Sequence, residues 1–306
     1  MRALKLTAGL AALLTFVLIV LGATVRVTNS GLSCPDWPTC YGSWLPLPGT
    51  IPEDAGYEYY QVMLEWVHRL IAGVFLGPLV LIVAWLALRH REERPGLAGG
   101  AALLVILLVV QAGLGGVTVL DQNSPWSVAL HLGTALLVLA MTLFLTARAG
   151  SPAPAVDGAF RALVLLTWIV TFAAIVSAAM MAKMGAAMAC ATWPLCDGAL
   201  VPDLSDPLVL VNWIHRVLAG LTVIAVLFLF LRGRRWGGAF RGLGTGALLL
   251  VLLAALLGAH GVGTFWPLWA AVTHQAIAIL VFMHLTMILW KAHPGRETGG
   301  AAAVGA

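Results

Sequence analysis

Eight long apolar runs dominate this chain. They cover approximately residues 6–27, 61–88, 99–120, 126–147, 160–182, 208–231, 241–262 and 268–290. A helix that spans a bilayer needs about 20 mostly apolar residues. The runs are long and lack period-2 alternation, which favours helices over barrel strands. Composition agrees: 61% of the 306 residues are hydrophobic and only 10% are charged, where a soluble domain carries about 25%. The expected fold is therefore an all-α membrane protein with eight transmembrane helices. The first run follows "MRALK", but it is long for a signal-peptide core, and "LGATVRVTNS" offers no small-x-small cleavage site. It is read as the first span.

Thirteen of the 17 basic residues fall on one set of ends and connections: Arg2, Lys5, Arg89, Arg91, Arg94, Arg148, Arg161, Arg232, Arg234, Arg235, Arg241, Lys291 and Arg296. That bias makes this face cytoplasmic and puts both termini inside. Only Arg26, Arg69, Lys183 and Arg216 lie toward the outer face, which instead collects acids such as Asp36, Glu53, Asp54 and Glu58. The pI near 9.1 reflects topology. No basic stripe suggests nucleic acid.

The chain also repeats itself. "CPDWPTC" (34–40) returns as "CATWPLC" (190–196), and "MLEWVHRLIAG" (63–73) returns as "LVNWIHRVLAG" (210–220). "QAGLGGVTVL" (111–120) loosely parallels "AALLGAHGVG" (254–263), and His131 parallels His274. The reading is two four-helix halves of the same orientation, 1–150 and 151–306, forming parallel-repeat bundles about an axis along the membrane normal. "RAGSPAPAVDG" (148–158) is the linker.

Four histidines fall in matched pairs. His68 and His131 enter from the outer face to similar depth, on the order of 10 Å at 1.5 Å per residue. His215 and His274 do the same in the second half. Two imidazoles at equal depth on facing helices can clamp one flat metal macrocycle. A lone buried histidine is more often just hydrogen-bonded, but four intramembrane ones in two pairs are costly and point to function. Arg69 and Arg216 follow the first histidine of each pair, and a guanidinium suits haem propionates; snorkelling at the interface is the other reading. His90, His260, His284 and His293 lack this pairing and are read as non-ligands.

Cys34, Cys40, Cys190 and Cys196 form two pairs of one spacing on the outer, oxidising side. Each is expected to close within its own loop, gaining roughly 2 kcal/mol in the chain-entropy model. A structural staple and a redox role both remain open. Zinc is disfavoured, since no histidine lies near either pair in sequence.

"GLSCPDWPTCYG" (31–42), "EWVHR" (65–69), the repeated eight-helix plan and the four matched histidines resemble the haem A synthase family over about residues 8 to 292. The resemblance implies an oxidoreductase that converts the C8 methyl of haem O to the formyl of haem A for terminal oxidases. It implies that His68 and His131 ligate the substrate haem and that His215 and His274 ligate a haem b cofactor. Glu65 falls on the family's catalytic acid, and Cys34 and Cys40 on its outer-loop pair. Implied partners are haem O, haem O synthase (the farnesyl transferase), cytochrome oxidase assembly factors and membrane lipid; a homo-oligomer is compatible with it. The second half departs from the pattern, because "AKMGAAMACATWPLC" lacks the Thr-x-Ser-Gly approach of 28–31.

Glu65 has Asn212 as its counterpart. Glu65 and His68 share one helix face, and an acid there could move protons or steady developing positive charge. A haem that only relays electrons needs no acid, so the asymmetry marks the first half as the reacting site. The competing structural reading is an ion pair with Arg69 one turn away. The competing functional reading is a bis-haem b-type electron-transfer cytochrome, which predicts equivalent halves. A transporter would show broken helices or midplane charges, and none is evident.

Overall fold

The computed structural model describes residues 1–94, 96–150 and 154–293. Among them, eight helices are long and apolar enough to cross a membrane: α1 (Arg2–Val27), α2 (Tyr59–Arg89), α3 (Leu97–Leu120), α4 (Pro125–Arg148), α5 (Gly158–Lys183), α6 (Pro207–Gly233), α7 (Gly238–Gly263) and α8 (Leu268–Ala292). They overlie the eight apolar runs. Residues 151–153 of the expected linker, and Arg296, lie outside the described residues.

Local chemistry sets several helix starts. Ser124 accepts from Ser127 N at 3.3 Å ahead of Pro125, and Asp206 accepts from Leu208 N at 2.8 Å ahead of Pro207. Asp157 accepts from Phe160 N at 2.6 Å. Each satisfies a donor that the first helical turn leaves free, and proline at the first position has no donor to lose. Glu58 and Gln61 close a reciprocal capping box at the head of α2.

α2 is interrupted by a π turn at Ile71–Leu76, directly before Gly77 and Pro78. Proline lacks an N–H and its ring crowds the carbonyl four residues back, so a wider turn relieves α2 at that point. α6 has Ala225 at the matching position and is uninterrupted from Pro207 to Gly233.

α1 packs against α2 and α4, and α3 packs against the same two. In the second half α5 and α7 each pack against α6 and α8. α1 meets α8, and α4 meets both α5 and α8, along a central seam. There Trp290 donates to Ala140 O at 2.9 Å and Trp168 donates to Thr286 Oγ1 at 2.9 Å, so both part-buried indole N–H groups are satisfied. α1 contributes Leu4, Ala8, Ala11 and Leu18 to a buried cluster with α2, α3 and α4, so the first run is a core helix. Outward faces stay apolar, for example Leu6, Ile82, Val109, Leu166 and Leu256, as lipid contact requires. The ends of α1, α3, α5 and α7 and the starts of the other four helices share one end of the molecule. The cysteine loops lie there, and we term it the disulfide end.

Candidate functional site

The two cysteine loops have the same local geometry. Cys34 pairs with Cys40 and Cys190 with Cys196, each followed by a matching bridge, Cys40 to Ser43 and Cys196 to Ala199. The Trp37–Pro38 and Trp193–Pro194 bonds are both cis. Left-handed positions also recur, Tyr41 and Gly42 with φ of 53° and 70° against Asp197 and Gly198 with 50° and 83°. Even the divergent approach matches: Asn29 has φ 54° where the second half uses Gly185 at 72°. A glycine or asparagine is what such a position favours.

Arg69 and Arg216 hold these loops. Arg69 Nη1 donates to Asp36 O at 2.6 Å and Thr39 O at 2.7 Å, and Nη2 donates to Cys34 O at 3.1 Å. Arg216 repeats the pattern on Thr192 O at 2.5 Å, Leu195 O at 3.0 Å and Cys190 O at 2.7 Å. Trp66 Nε1 and Trp213 Nε1 add a second tie, to Trp44 O at 2.7 Å and Leu200 O at 2.9 Å. The rigid guanidinium fork thus gathers three carbonyls of a cross-linked loop. Asp36 stiffens the first loop by accepting from Thr39 Oγ1, from Tyr41 N at 2.6 Å and from Gly42 N at 3.0 Å. Partial burial would raise its pKa, but these hydrogen bonds outweigh it and hold the carboxyl below its ordinary value.

Deeper in, His68 lies within electrostatic reach of His131, and His215 within that of His274. Three of the rings lie against a glycine on a neighbouring helix. A Cβ on Gly22 would stand 3.4 Å from His68 Cε1, one on Gly115 3.3 Å from His131 Cε1, and one on Gly258 3.3 Å from His274 Cε1. The carbonyl four residues before the small position then becomes reachable by an outside donor. His274 Nδ1 lies 2.9 Å from Ala254 O, and His215 Nδ1 lies 3.0 Å from Ala174 O, four residues before Ala178. A carbonyl on Nδ1 fixes the proton there and leaves Nε2 as a lone-pair donor, the tautomer that a metal needs.

In the first half His131 meets the backbone of Gln111 in the same way, but His68 and the Gln111 side chain differ. His68 Nδ1 is buried with no hydrogen-bond partner among the described residues, and so is Gln111 Oε1. Gln111 Nε2 lies 3.3 Å from both nitrogens of His131. An atom at that range from both nitrogens cannot lie in the ring plane without overlapping Cε1, so the amide covers the ring's face. Ala254 occupies the matching place in the second half. Unsatisfied buried polar atoms cost about 1–3 kcal/mol each, and a pair of them at one site calls for an explanation.

Glu65 is 4% exposed and Asn212 is 2% exposed, but they bond in opposite senses. Glu65 Oε2 accepts from Ser33 Oγ at 3.0 Å and Cys34 N at 2.9 Å, and Oε1 accepts from Arg69 Nη2 at 2.6 Å. Asn212 Nδ2 donates to Ala186 O at 2.7 Å and Ala187 O at 3.2 Å, and its Oδ1 has no partner among the described residues. The ion pair expected as the alternative role of Glu65 is therefore present.

The remaining histidines lie elsewhere. His284 Nδ1 lies 2.8 Å from Leu280 O of its own helix, His260 packs at a tilt against Trp269 with ring centres 5.1 Å apart, and His90 meets the amino terminus at 3.0 Å. His293 Nδ1 lies 3.0 Å from Leu289 O.

Gln111, Ser33, Ser177 and the three cradling glycines were not singled out from sequence, although Gly115 and Gly258 lie at equivalent places in the parallel 111–120 and 254–263 segments. Ser177 Oγ lies 3.4 Å from His215 Nδ1.

Two neutral imidazoles are too few for a bare protein-bound ion, and among the described residues no group of three or more metal-binding side chains occurs. They do suit a macrocycle that brings its own four nitrogens and leaves two axial positions open. The partner-free atoms beside His68 and His131, and rings seated on glycine, fit a flat ligand.

These features define a multi-pass helical membrane protein with two pairs of intramembrane imidazoles, each beneath a clamped, cross-linked loop. Residues 5–286 match the family model COX15-CtaA, described as cytochrome oxidase assembly protein. The "Heme A synthase" of Shouchella clausii is 31% identical over 298 residues, covering 94% of this chain and 93% of that protein. Those of Halalkalibacterium halodurans and Alkalihalophilus pseudofirmus are each 29% identical, covering 94% and 95% of this chain and 96% and 98% of theirs. The chain belongs to this haem A synthase family.

Proposed function

We propose that the protein oxidises the C8 methyl of haem O to a formyl group, giving haem A. In this reading residues 1–150 and 151–306 are two parallel four-helix units, with the cysteine loops on the outer face and both termini cytoplasmic. His68 and His131 hold the substrate haem, and His215 and His274 hold haem b. The observation that carries the reading is the paired imidazoles, alike in plan but with Glu65, Gln111 and the π turn confined to the first half. Haem b, when bound, relays electrons away from the reacting site.

Two imidazoles on the substrate iron leave no position for dioxygen. The methyl carbon then loses electrons to an outer acceptor, and water supplies the oxygen. One round converts CH3 and water to CH2OH, two protons and two electrons. A second gives the geminal diol, which loses water to the aldehyde. Glu65, one turn nearer the loop than His68, would steady positive charge at the carbon and take the proton of the attacking water. Its Oε1 lies 2.6 Å from Arg69 Nη2 and leaves the rest of the carboxyl to Ser33 and Cys34. Propionates could engage Arg69 and Arg216 only through N–H groups not already given to the loops.

The test is the pigment of protein co-expressed with haem O synthase. Haem O or haem A beside haem b is expected; two haem b would favour an electron-transfer cytochrome. Glu65→Gln should bind haem O yet accumulate it or the alcohol. In heavy-oxygen water under ordinary dioxygen, the alcohol should carry the heavy label.

A further inference from the structure

Four cations lie at the disulfide end, and the loops account for Arg69 and Arg216. The others are Arg26, in the last turn of α1, and Lys183, in the last turn of α5. They close corresponding helices of the two halves at the disulfide end. Neither forms a salt bridge among the described residues. The part-buried Arg26 reaches across the seam, where Nη2 donates to Gln275 Oε1 at 3.1 Å.

A helix C-terminus favours a single cation through its dipole. That does not explain a guanidinium drawn into the seam with a neutral amide as its partner. Position supplies the missing element. Arg26 is four residues beyond Gly22, on the same helix face and one turn nearer the disulfide end. Gly22 carries the ring of His68 against it. Gln275 directly follows His274. Arg26 thus stands above the first imidazole pair and touches the helix that holds the second.

We propose that Arg26 and Lys183 form an anion site at the seam, which receives the propionate carboxylates of a macrocycle held by the imidazole pairs. This rests on the haem-binding reading above. It assigns the carboxylates to cations that hold no loop, and it places them where iron-bound macrocycles would turn their charged edge toward water. A phospholipid phosphate at the membrane surface offers the same charge and is the competing source.

Full-length apoprotein in detergent is titrated optically with iron protoporphyrin and with its dimethyl ester, in wild type, Arg26→Gln, Arg26→Lys and Lys183→Gln. Folding is checked by circular dichroism, and co-purified phospholipid is assayed as phosphate. Wild type should prefer the free acid. Arg26→Gln should reduce that preference by about tenfold to a hundredfold, as for hydrogen bonds to charged groups. Lys183→Gln should reduce it less, and Arg26→Lys should keep part of it because charge remains while the fork is lost. Comparing the ratio between variants cancels the ester's greater partition into detergent. If Arg26→Gln does not fold, Lys183→Gln and Arg26→Lys carry the test. Variants that bind both porphyrins with the wild-type preference overturn the proposal and leave the haem reading standing. Variants that shed phospholipid without a change in preference assign the site to lipid and also overturn it. A wild-type protein that binds neither porphyrin overturns the haem reading, and this proposal with it.

Discussion

Arg69 Nη2 lies 2.6 Å from Glu65 Oε1, one turn away on α2, while the same guanidinium holds the carbonyls of Cys34, Asp36 and Thr39. Arg216 makes the equivalent loop contacts, but Asn212 stands where the carboxylate would be. The pair therefore joins a loop staple to a buried charge in one half only.

Arg69→Ala should for that reason destabilise more than Arg216→Ala. Removing Arg69 strands a buried carboxylate, which costs about 3–5 kcal/mol. Removing Arg216 leaves neutral carbonyls short of donors, at about 1–3 kcal/mol. Thermal unfolding in detergent, with the rate of disulfide reduction as a local readout, orders the two variants. Equal losses would mean that the Glu65 contact contributes nothing to the first loop.

Asp36 gives the first loop a dependence on pH. Its folded pKa is depressed, first against the opposing effect of burial and then by the hydrogen bonds from Thr39, Gly42 and Tyr41. The stability it contributes is thus fully present above the unfolded value, about 3.9, and is lost as pH falls through the folded one. Proteolysis or reduction of the 34–40 loop should accelerate on acidification below that range, and Asp36→Asn should remove the step. An unchanged acid profile in Asp36→Asn would rule this group out.

Gly258 tests the cradle beneath His274. Its absent Cβ would meet the imidazole at 3.3 Å, so alanine is tight and valine needs the ring to move. Gly220 has open space around its Cβ position. Gly258→Val should lose retained haem b, whereas Gly220→Ala should keep it. Retention in Gly258→Val would show that the ring is not set by this contact.

The spans were legible because apolar length is a one-dimensional property, and the histidine pairs were legible because each half repeats the same order of motifs. The roles of Arg69 and Arg216 were not. Their residue type suits carboxylates, but the direction of carbonyls in a folded loop is not written in side-chain identity. For the same reason the second loop keeps its clamp despite a divergent sequence. Pro78 was a visible signal for the π turn, since the parallel helix has Ala225 there. Gln111 was hidden in an apolar run, and only folding brings its amide over His131.

The two imidazole pairs should differ in how tightly they hold a macrocycle. In the second half both Nδ1 atoms face backbone carbonyls, at 3.0 Å and 2.9 Å. These contacts fix ring orientation and strengthen Nε2 as a ligand, and losing such outer partners typically costs 10- to 100-fold in affinity. In the first half His131 keeps a backbone contact to Gln111, but His68 Nδ1 has no partner among the described residues and the Gln111 amide lies over the His131 ring. A firmly held cofactor beside an exchangeable substrate needs this difference. Transfer of haem from loaded protein to excess apomyoglobin should be biphasic, with rates separated by about 10- to 100-fold. His215→Ala and His274→Ala should each abolish the slow phase and leave the fold intact by circular dichroism. His68→Ala and His131→Ala should abolish the fast phase. Loss of the slow phase in His68→Ala would reverse the assignment of cofactor and substrate sites. A single phase in wild type would mean that backbone support of Nδ1 does not set the rate of release.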